Sequence, residues 1–264
     1  MCDRFEQFFG KSAYAHLCVT DAMASDLRNN WGLWARLLAD SQFSQLQSHA
    51  GDEAGVVDSL LTSQQRGGTV AMRKDRPMLV VSSTSWTADE DFSILLEALA
   101  LYDKAAIVQK APGGRLPSLV VLITGKGPLR GFYESEIARL QLRAVRIVTA
   151  WLSAEDYPLL LGSADLGISL HTSSSGLDLP MKVVDMLGCG APVCAYGFSC
   201  IRELVTGDNG LVFSSAPELA LQIQDLAAQL GLPNGRYSRL LQGAAQFHKI
   251  DWDTHYTRAL ELFK

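Results

Sequence analysis

The side chains best suited by type and spacing to do chemistry lie in one run, Leu170-His171-Thr172-Ser173-Ser174-Ser175-Gly176-Leu177-Asp178-Leu179-Pro180-Met181-Lys182-Val183-Val184-Asp185, which closes on Gly188-Cys189-Gly190-Ala191-Pro192. The Ser/Gly turn offers N–H groups and hydroxyls to an anion, and Pro180 opens a helix behind it. Proline suits the first helical turn because its missing N–H would find no partner there, and the helix dipole adds partial positive charge at that end. Lys182 and Asp185 stand three apart, so both can face one ligand, the lysine as a cation and the aspartate as an acceptor for hydroxyls. The chemistry this fits is the holding of phosphate and sugar, with Ser174, Ser175, Gly176, Leu177, Asp178 and Leu179 forming the cradle. His171, at the strand end beside the turn, is either a hydrogen-bonding partner for that ligand or a structural one.

Three more turns have suitable residues. Ile123-Thr124-Gly125-Lys126-Gly127-Pro128-Leu129 ends an apolar run in a Gly-rich turn; Gly125 and Gly127 allow close backbone approach and Lys126 adds charge, although any tight strand-to-helix turn also wants glycine. Ser82-Ser83-Thr84-Ser85-Trp86 has four hydroxyls that either bind phosphate or sugar through Ser85 and its neighbours, or cap the following helix. At Thr149-Ala150-Trp151-Leu152, backbone groups beside Trp151 could read a base. Asp89 and Asp91 match the D-x-D pattern of metal sites, but two carboxylates in a first helical turn have sufficient reason in the helix dipole. We expect no metal and no other cofactor. Asp251-x-Asp253 is weaker still.

The elements that must position these turns are strands at 78–83, 119–124, 145–149, 166–170, 192–195 and 211–213, alternating with helices at 91–108, 129–142, 157–161, 181–187, 201–205 and 217–230. Short β-branched runs alternating with helix-period segments are the signature of βα units. The strands show little in–out alternation, as expected where helices cover both sheet faces. The fold class is therefore α/β, a Rossmann-like parallel sheet with helices on both faces. In such sheets ligands lie beyond the carboxyl ends of the strands, where all four turns fall. Residues 1–33 read as a single separate βα unit, with a strand at 15–20 and a helix capped by Asp21. Residues 34–75 read as an irregular linker without strands, 76–231 as the main domain, and 232–264 as two C-terminal helices. The last of these has Trp252, Tyr256, Leu260 and Phe263 on one face, a spacing that fits packing.

Composition narrows the function. The 264 residues include 23 Lys plus Arg against 28 Asp plus Glu, so no surplus of positive charge is available for a nucleic-acid backbone. The 48% hydrophobic content supports a core. Five scattered cysteines without a C-x-x-C pair fit a reducing compartment and not zinc. No membrane-spanning run or signal peptide is read, so the chain as given is expected to be soluble. A nucleophile elbow is absent, and neither Gly-rich turn continues into a dinucleotide fingerprint, which leaves a dehydrogenase as a distant reading.

These motifs resemble the GT-B glycosyltransferases, and within them the β-mannosyltransferases of dolichol-linked glycan assembly. The resemblance rests on the Ser82 to Thr87 turn with Asp89-Glu90-Asp91-Phe92, on Ile123 to Arg130, on Trp151 with Ala154-Glu155-Asp156-Tyr157-Pro158, and on the run from Leu159 through Lys182 to Asp185. It covers about 76–230. It implies a C-terminal donor domain for GDP-mannose, with Gly125 to Gly127 and the amides near Ser175 to Leu179 facing the diphosphate. It further implies that Lys182 supplies charge and that Asp185 holds the ribose hydroxyls, where many relatives have glutamate. The implied acceptor is dolichol-diphosphate-linked chitobiose, mannosylated with inversion to a β-1,4 bond at the cytosolic face of the endoplasmic reticulum, in company with other mannosyltransferases of the pathway. Residues 6–33 resemble the end of an acceptor domain of which most is missing, and no catalytic base is assigned. The alternative expectation is a truncated, catalytically incompetent paralogue or isoform that binds donor or partners without completing transfer.

Overall fold

The computed structural model describes residues 60–64, 70–73, 75–108, 116–172, 180–199 and 201–247. Two short strands, β1 (Thr62–Gln64) and β2 (Val70–Met72), pair antiparallel with Thr62 opposite Met72. These correct the expectation of a strand-free linker over 34–75. The segments flanking Gly67-Gly68 are too short and too polar to show a clear two-residue period, yet apolar and β-branched residues on either side of a Gly pair are a hairpin signal.

The main sheet contains β3 (Met78–Ser83), β4 (Leu119–Thr124), β5 (Val145–Ala150), β6 (Leu166–Ser169), β7 (Val193–Tyr196) and β8 (Gly210–Phe213). Its order is β5-β4-β3-β6-β7-β8 and every pairing is parallel. The helices are α1 (Phe92–Val108), α2 (Arg130–Arg139), α3 (Asp156–Leu161), α4 (Met181–Gly188), α5 (Ile201–Leu204), α6 (Ala216–Ala228) and α7 (Arg236–Phe247). All six strands and the six helices between 91 and 230 agree with their sequence-based positions to within a few residues. The second C-terminal helix and the N-terminal βα unit lie outside the described residues.

Alternate strand residues feed two apolar clusters, one on each side of the sheet. Met78, Val80, Val121, Ile123 and Ile168 pack under α1 and α6 with Tyr237 and Leu240 of α7. Leu79, Val81, Val120, Leu122 and Val193 pack under α3, α4 and α5 with Ala244. This burial on both faces explains the unbroken apolar runs of β3 and β4. The strand order reverses direction between β3 and β6, which creates a crevice at the carboxyl ends of those two strands.

Long-range polar staples fix the amino edge opposite. Asp165, 6% exposed, accepts two guanidinium N–H groups of Arg76 at 2.5 and 2.7 Å and the Leu79 backbone N–H at 2.8 Å. The Tyr237 hydroxyl donates to the Asp165 carbonyl at 3.1 Å, so one residue ties the starts of β3 and β6 to α7. Asp103 of α1 likewise accepts the backbone N–H groups of Arg143, Ala144 and Val145, seating the start of β5.

Candidate functional site

The turns after β3, β4 and β5 interlock. Thr84 N–H donates to the Thr124 carbonyl at 2.9 Å, Gly125 N–H to Ala150 at 3.2 Å and Leu129 N–H to Trp86 at 3.0 Å. Gly125 has φ of 151°, and a Cβ there would stand 1.8 Å from the Thr84 carbonyl oxygen. A Cβ on Gly127 would meet the Ser85 carbonyl at 1.7 Å. Both glycines are thus required by the contact between neighbouring turns, whatever else they bind. Gly127→Ala is expected to cost about 1–3 kcal/mol, because the obstructing atom is backbone and cannot swing aside; a lowered urea midpoint would show it.

Trp86, expected among the donor-binding residues, has its ring packed beneath the turns. Its side chain is 1% exposed, its ring lies 4.7 Å from Phe92 and 5.9 Å from Tyr133, and its Nε1–H donates to the Gly125 carbonyl at 3.2 Å. It pins the two turns together from beneath. Trp151, by contrast, is 50% exposed, and the Lys126 ammonium sits 4.0 Å above its ring, a cation–π pair at the surface after β5.

The hydroxyl-rich turn after β3 turns inward around Glu90. This carboxylate is 2% exposed, accepts from the Thr84 hydroxyl and the Ser85 backbone N–H, and forms an ion pair with Lys182 of α4. Lys182 Nζ also approaches Ser85 Oγ at 3.5 Å. The pair crosses the crevice between β3 and β6, so the cation expected from sequence is present and held by a residue that reads locally as dipole compensation. The Thr172 hydroxyl donates to the Asp89 carbonyl at 2.6 Å, a second link over the same crevice. Asp91 accepts the Ser93 backbone N–H at 3.0 Å, a capping bond at the start of α1. His171 is half-buried, with its ring 6.1 Å from that of Phe198.

Asp185, the other expected side chain on α4, lies at the same crevice. The Tyr157 hydroxyl of α3 is 3.5 Å from its Oδ2 and 3.0 Å from Ser83 Oγ at the end of β3. Burial pushes the Asp185 carboxyl from the usual 3.8 up to about 6, against the opposing pull of the Tyr157 hydrogen bond. A carboxyl whose folded value lies above its unfolded one binds more protons in the native state between those values, so its contribution to stability falls as pH rises through about 4 to 6. Asp185→Asn is therefore expected to melt at or above the parent temperature at neutral pH, and to flatten the pH dependence of melting over that window. A lower melting temperature at neutral pH would contradict the burial argument.

The structure thus brings Ser85, Gly125, Lys126, Gly127, Trp151, His171, Lys182 and Asp185 to one edge, with Trp86 beneath it. Ser174, Ser175, Gly176, Leu177, Asp178 and Leu179 lie outside the described residues. Glu90 and Tyr157 are additions. Glu90 is the partner that the spacing of Lys182 does not reveal; the Tyr157-Pro158 start of a helix has no local signal beyond helix capping.

The doubly wound parallel sheet has a cation, hydroxyls and Gly-rich turns at its switch point, the edge where open α/β sheets bind ligands. The family model described as group 1 glycosyl transferases matches residues 77–229, and the chain belongs to that family. Solved structures share the fold: HepE of Anabaena in complex with UDP, 22% identical with a TM-score of 0.52, covers 71% of this chain and 48% of its own. A TarM variant of S. aureus, 14% identical with a TM-score of 0.55, covers 71% and 36%. Among curated relatives, human chitobiosyldiphosphodolichol beta-mannosyltransferase is 43% identical over 97% of this chain and 60% of its own length, and the mouse protein of the same name is 46% identical over 94% and 56%. Arabidopsis thaliana UDP-glycosyltransferase TURAN is 46% identical over 83% and 55%. The chain spans 55–60% of the length of these three curated relatives.

Proposed function

We propose that this chain acts as a GDP-mannose-dependent β-mannosyltransferase on dolichol-diphosphate-linked chitobiose, with the described domain as its donor-binding half. The observation that carries the reading is the approach of Lys182 to Ser85 across the β3–β6 crevice, with Asp185 three residues further along α4. The mannosyl and dolichol parts rest on the relatives' names; the anion and diol parts rest on the site.

In the proposed reaction an acceptor hydroxyl attacks the anomeric carbon and yields its proton to a general base, the bond from that carbon to the diphosphate oxygen breaks, and GDP leaves. Negative charge grows on the departing diphosphate, and a cation fixed before the ligand arrives stabilises it without reorganisation. Lys182 is such a cation, because Glu90 orients it from a buried position. Asp185 would accept the ribose hydroxyls, and the exposed face of Trp151 suits a base. The site of action in this reading is the cytosolic face of the endoplasmic reticulum, alongside other mannosyltransferases of the pathway. Among the described residues no helix is long and apolar enough to cross a membrane.

The test is incubation of the full chain with labelled GDP-mannose and a lipid-diphosphate-linked chitobiose, followed by analysis of the lipid product. A β-mannosylated lipid is the expected result. GDP binding without transfer would replace the enzymatic reading with a donor-binding one, and absence of GDP binding would overturn both.

A further inference from the structure

Tyr157 belongs to none of the four turns, yet it joins two of the elements that frame the crevice. Its phenolic oxygen lies 3.0 Å from Ser83 Oγ, on the last residue of β3, and 3.5 Å from Asp185 Oδ2, on the second turn of α4. A phenol has one proton, and an ionised carboxylate can only accept. The phenol proton is therefore directed at Asp185, and the Ser83 hydroxyl donates to the phenolic oxygen. The three groups form a chain of donors with one sense, Ser83 to Tyr157 to Asp185. Burial and the neighbouring carboxylate both push the Tyr157 pKa upward, so it keeps its proton throughout the working range.

The need for such a bond follows from the aspartate side chain. The terminal torsion of Asp is broad and roughly two-fold, so helix geometry places the carboxyl group without fixing its plane. A carboxylate that must receive two neighbouring hydroxyls needs that plane fixed. We propose that Tyr157 is a positioning residue that, braced by Ser83, fixes the Asp185 carboxylate to accept the vicinal ribose hydroxyls of the nucleotide. The inference rests on the reading of the crevice as a GDP-sugar site. Tyr157 touches no reacting atom in this scheme; it acts through Asp185. The competing account is that its ring only fills space between α3 and α4, since Tyr157 also packs against the apolar cluster on that face.

Tyr157→Phe keeps the ring and removes the hydroxyl, and a pair of ligands separates the two accounts. The dissociation constants of GDP and of 2′,3′-dideoxy-GDP are measured by calorimetry for the parent chain, Tyr157→Phe and Ser83→Ala. The parent is expected to prefer GDP. Tyr157→Phe should lose about three- to tenfold of that preference, the worth of one hydrogen bond, with affinity for the dideoxy compound unchanged. Ser83→Ala should lose a smaller part of it. An unchanged preference in Tyr157→Phe, or an equal weakening for both ligands, would overturn the inference and leave the donor site standing. A parent that binds GDP without favouring the diol would overturn the ribose role of Asp185 together with the inference. A parent that binds neither ligand would overturn the donor reading itself.

Discussion

Asp165→Ala is expected to lower the free energy of unfolding by about 3–5 kcal/mol. Asp165 is buried and receives both Arg76 N–H groups as well as the Leu79 backbone N–H. Its removal leaves a guanidinium only 13% exposed without its counter-charge, and such an orphan costs more than the intact pair contributes. The amide of Leu79 loses its partner at the same time. In a domain of this size a change of 3–5 kcal/mol lowers the melting temperature by roughly 6–20 °C. Because the staple lies at the amino edge, GDP affinity of the folded protein should stay within twofold of the parent. A loss under about 1 kcal/mol would mean that Arg76 finds water through the adjoining cavity of about 760 Å³, which it lines with Pro117 and Arg143.

Lys182→Ala is expected to weaken GDP binding by about 1.5–3 kcal/mol, or roughly ten- to 150-fold, the range for a charge-assisted contact. The same change leaves Glu90, 2% exposed, with only the Thr84 hydroxyl and the Ser85 amide for partners, so stability should fall as well. A double-mutant cycle separates the two effects. Glu90→Gln added to Lys182→Ala should recover most of the lost stability, since a neutral amide keeps an acceptor for Thr84 and Ser85, and recover none of the lost affinity. Calorimetric titration with denaturant melts on the four proteins gives both quantities. An unaltered GDP affinity in Lys182→Ala would place GDP away from the β3–β6 crevice and leave the lysine as a structural partner of Glu90.

The fold was legible because its elements are local and strongly patterned. Unbroken apolar strands at 78–83 and 119–124 could only be covered on both faces, and Ser215-Ala216-Pro217-Glu218 announces α6 through a capping hydroxyl, an early proline and an acidic first turn. Boundaries moved by one to three residues, as at α2, where the helix ends at Arg139 and Leu140 closes a tighter turn. The β1–β2 pair is not legible because three-residue strands have too few positions to display a period.

At the site, what belongs to one turn could be read and what joins distant turns could not. Gly125, Gly127, Lys182 and Asp185 advertise themselves through neighbours in sequence. The bond between Lys182 and Glu90 spans 92 positions, and that between Tyr157 and Ser83 spans 74. Neither separation leaves a local trace, so Glu90 looks like any acid in a first helical turn. The placement of the Trp86 ring was not legible for a different reason. An aromatic ring in a turn after a buried strand serves equally as a surface for a ligand or as a plug under the turn, and only the position of Phe92 and Tyr133 decides.

The central claim, that the β3–β6 crevice holds a guanosine diphosphate sugar, is tested most directly by calorimetric titration of the parent chain with GDP and, separately, with UDP. One saturable site for GDP, at least tenfold tighter than UDP and weakened by Lys182→Ala, is the predicted result. No heat of binding with GDP at millimolar ligand, or equal affinity for GDP in the parent and in Lys182→Ala, would contradict it.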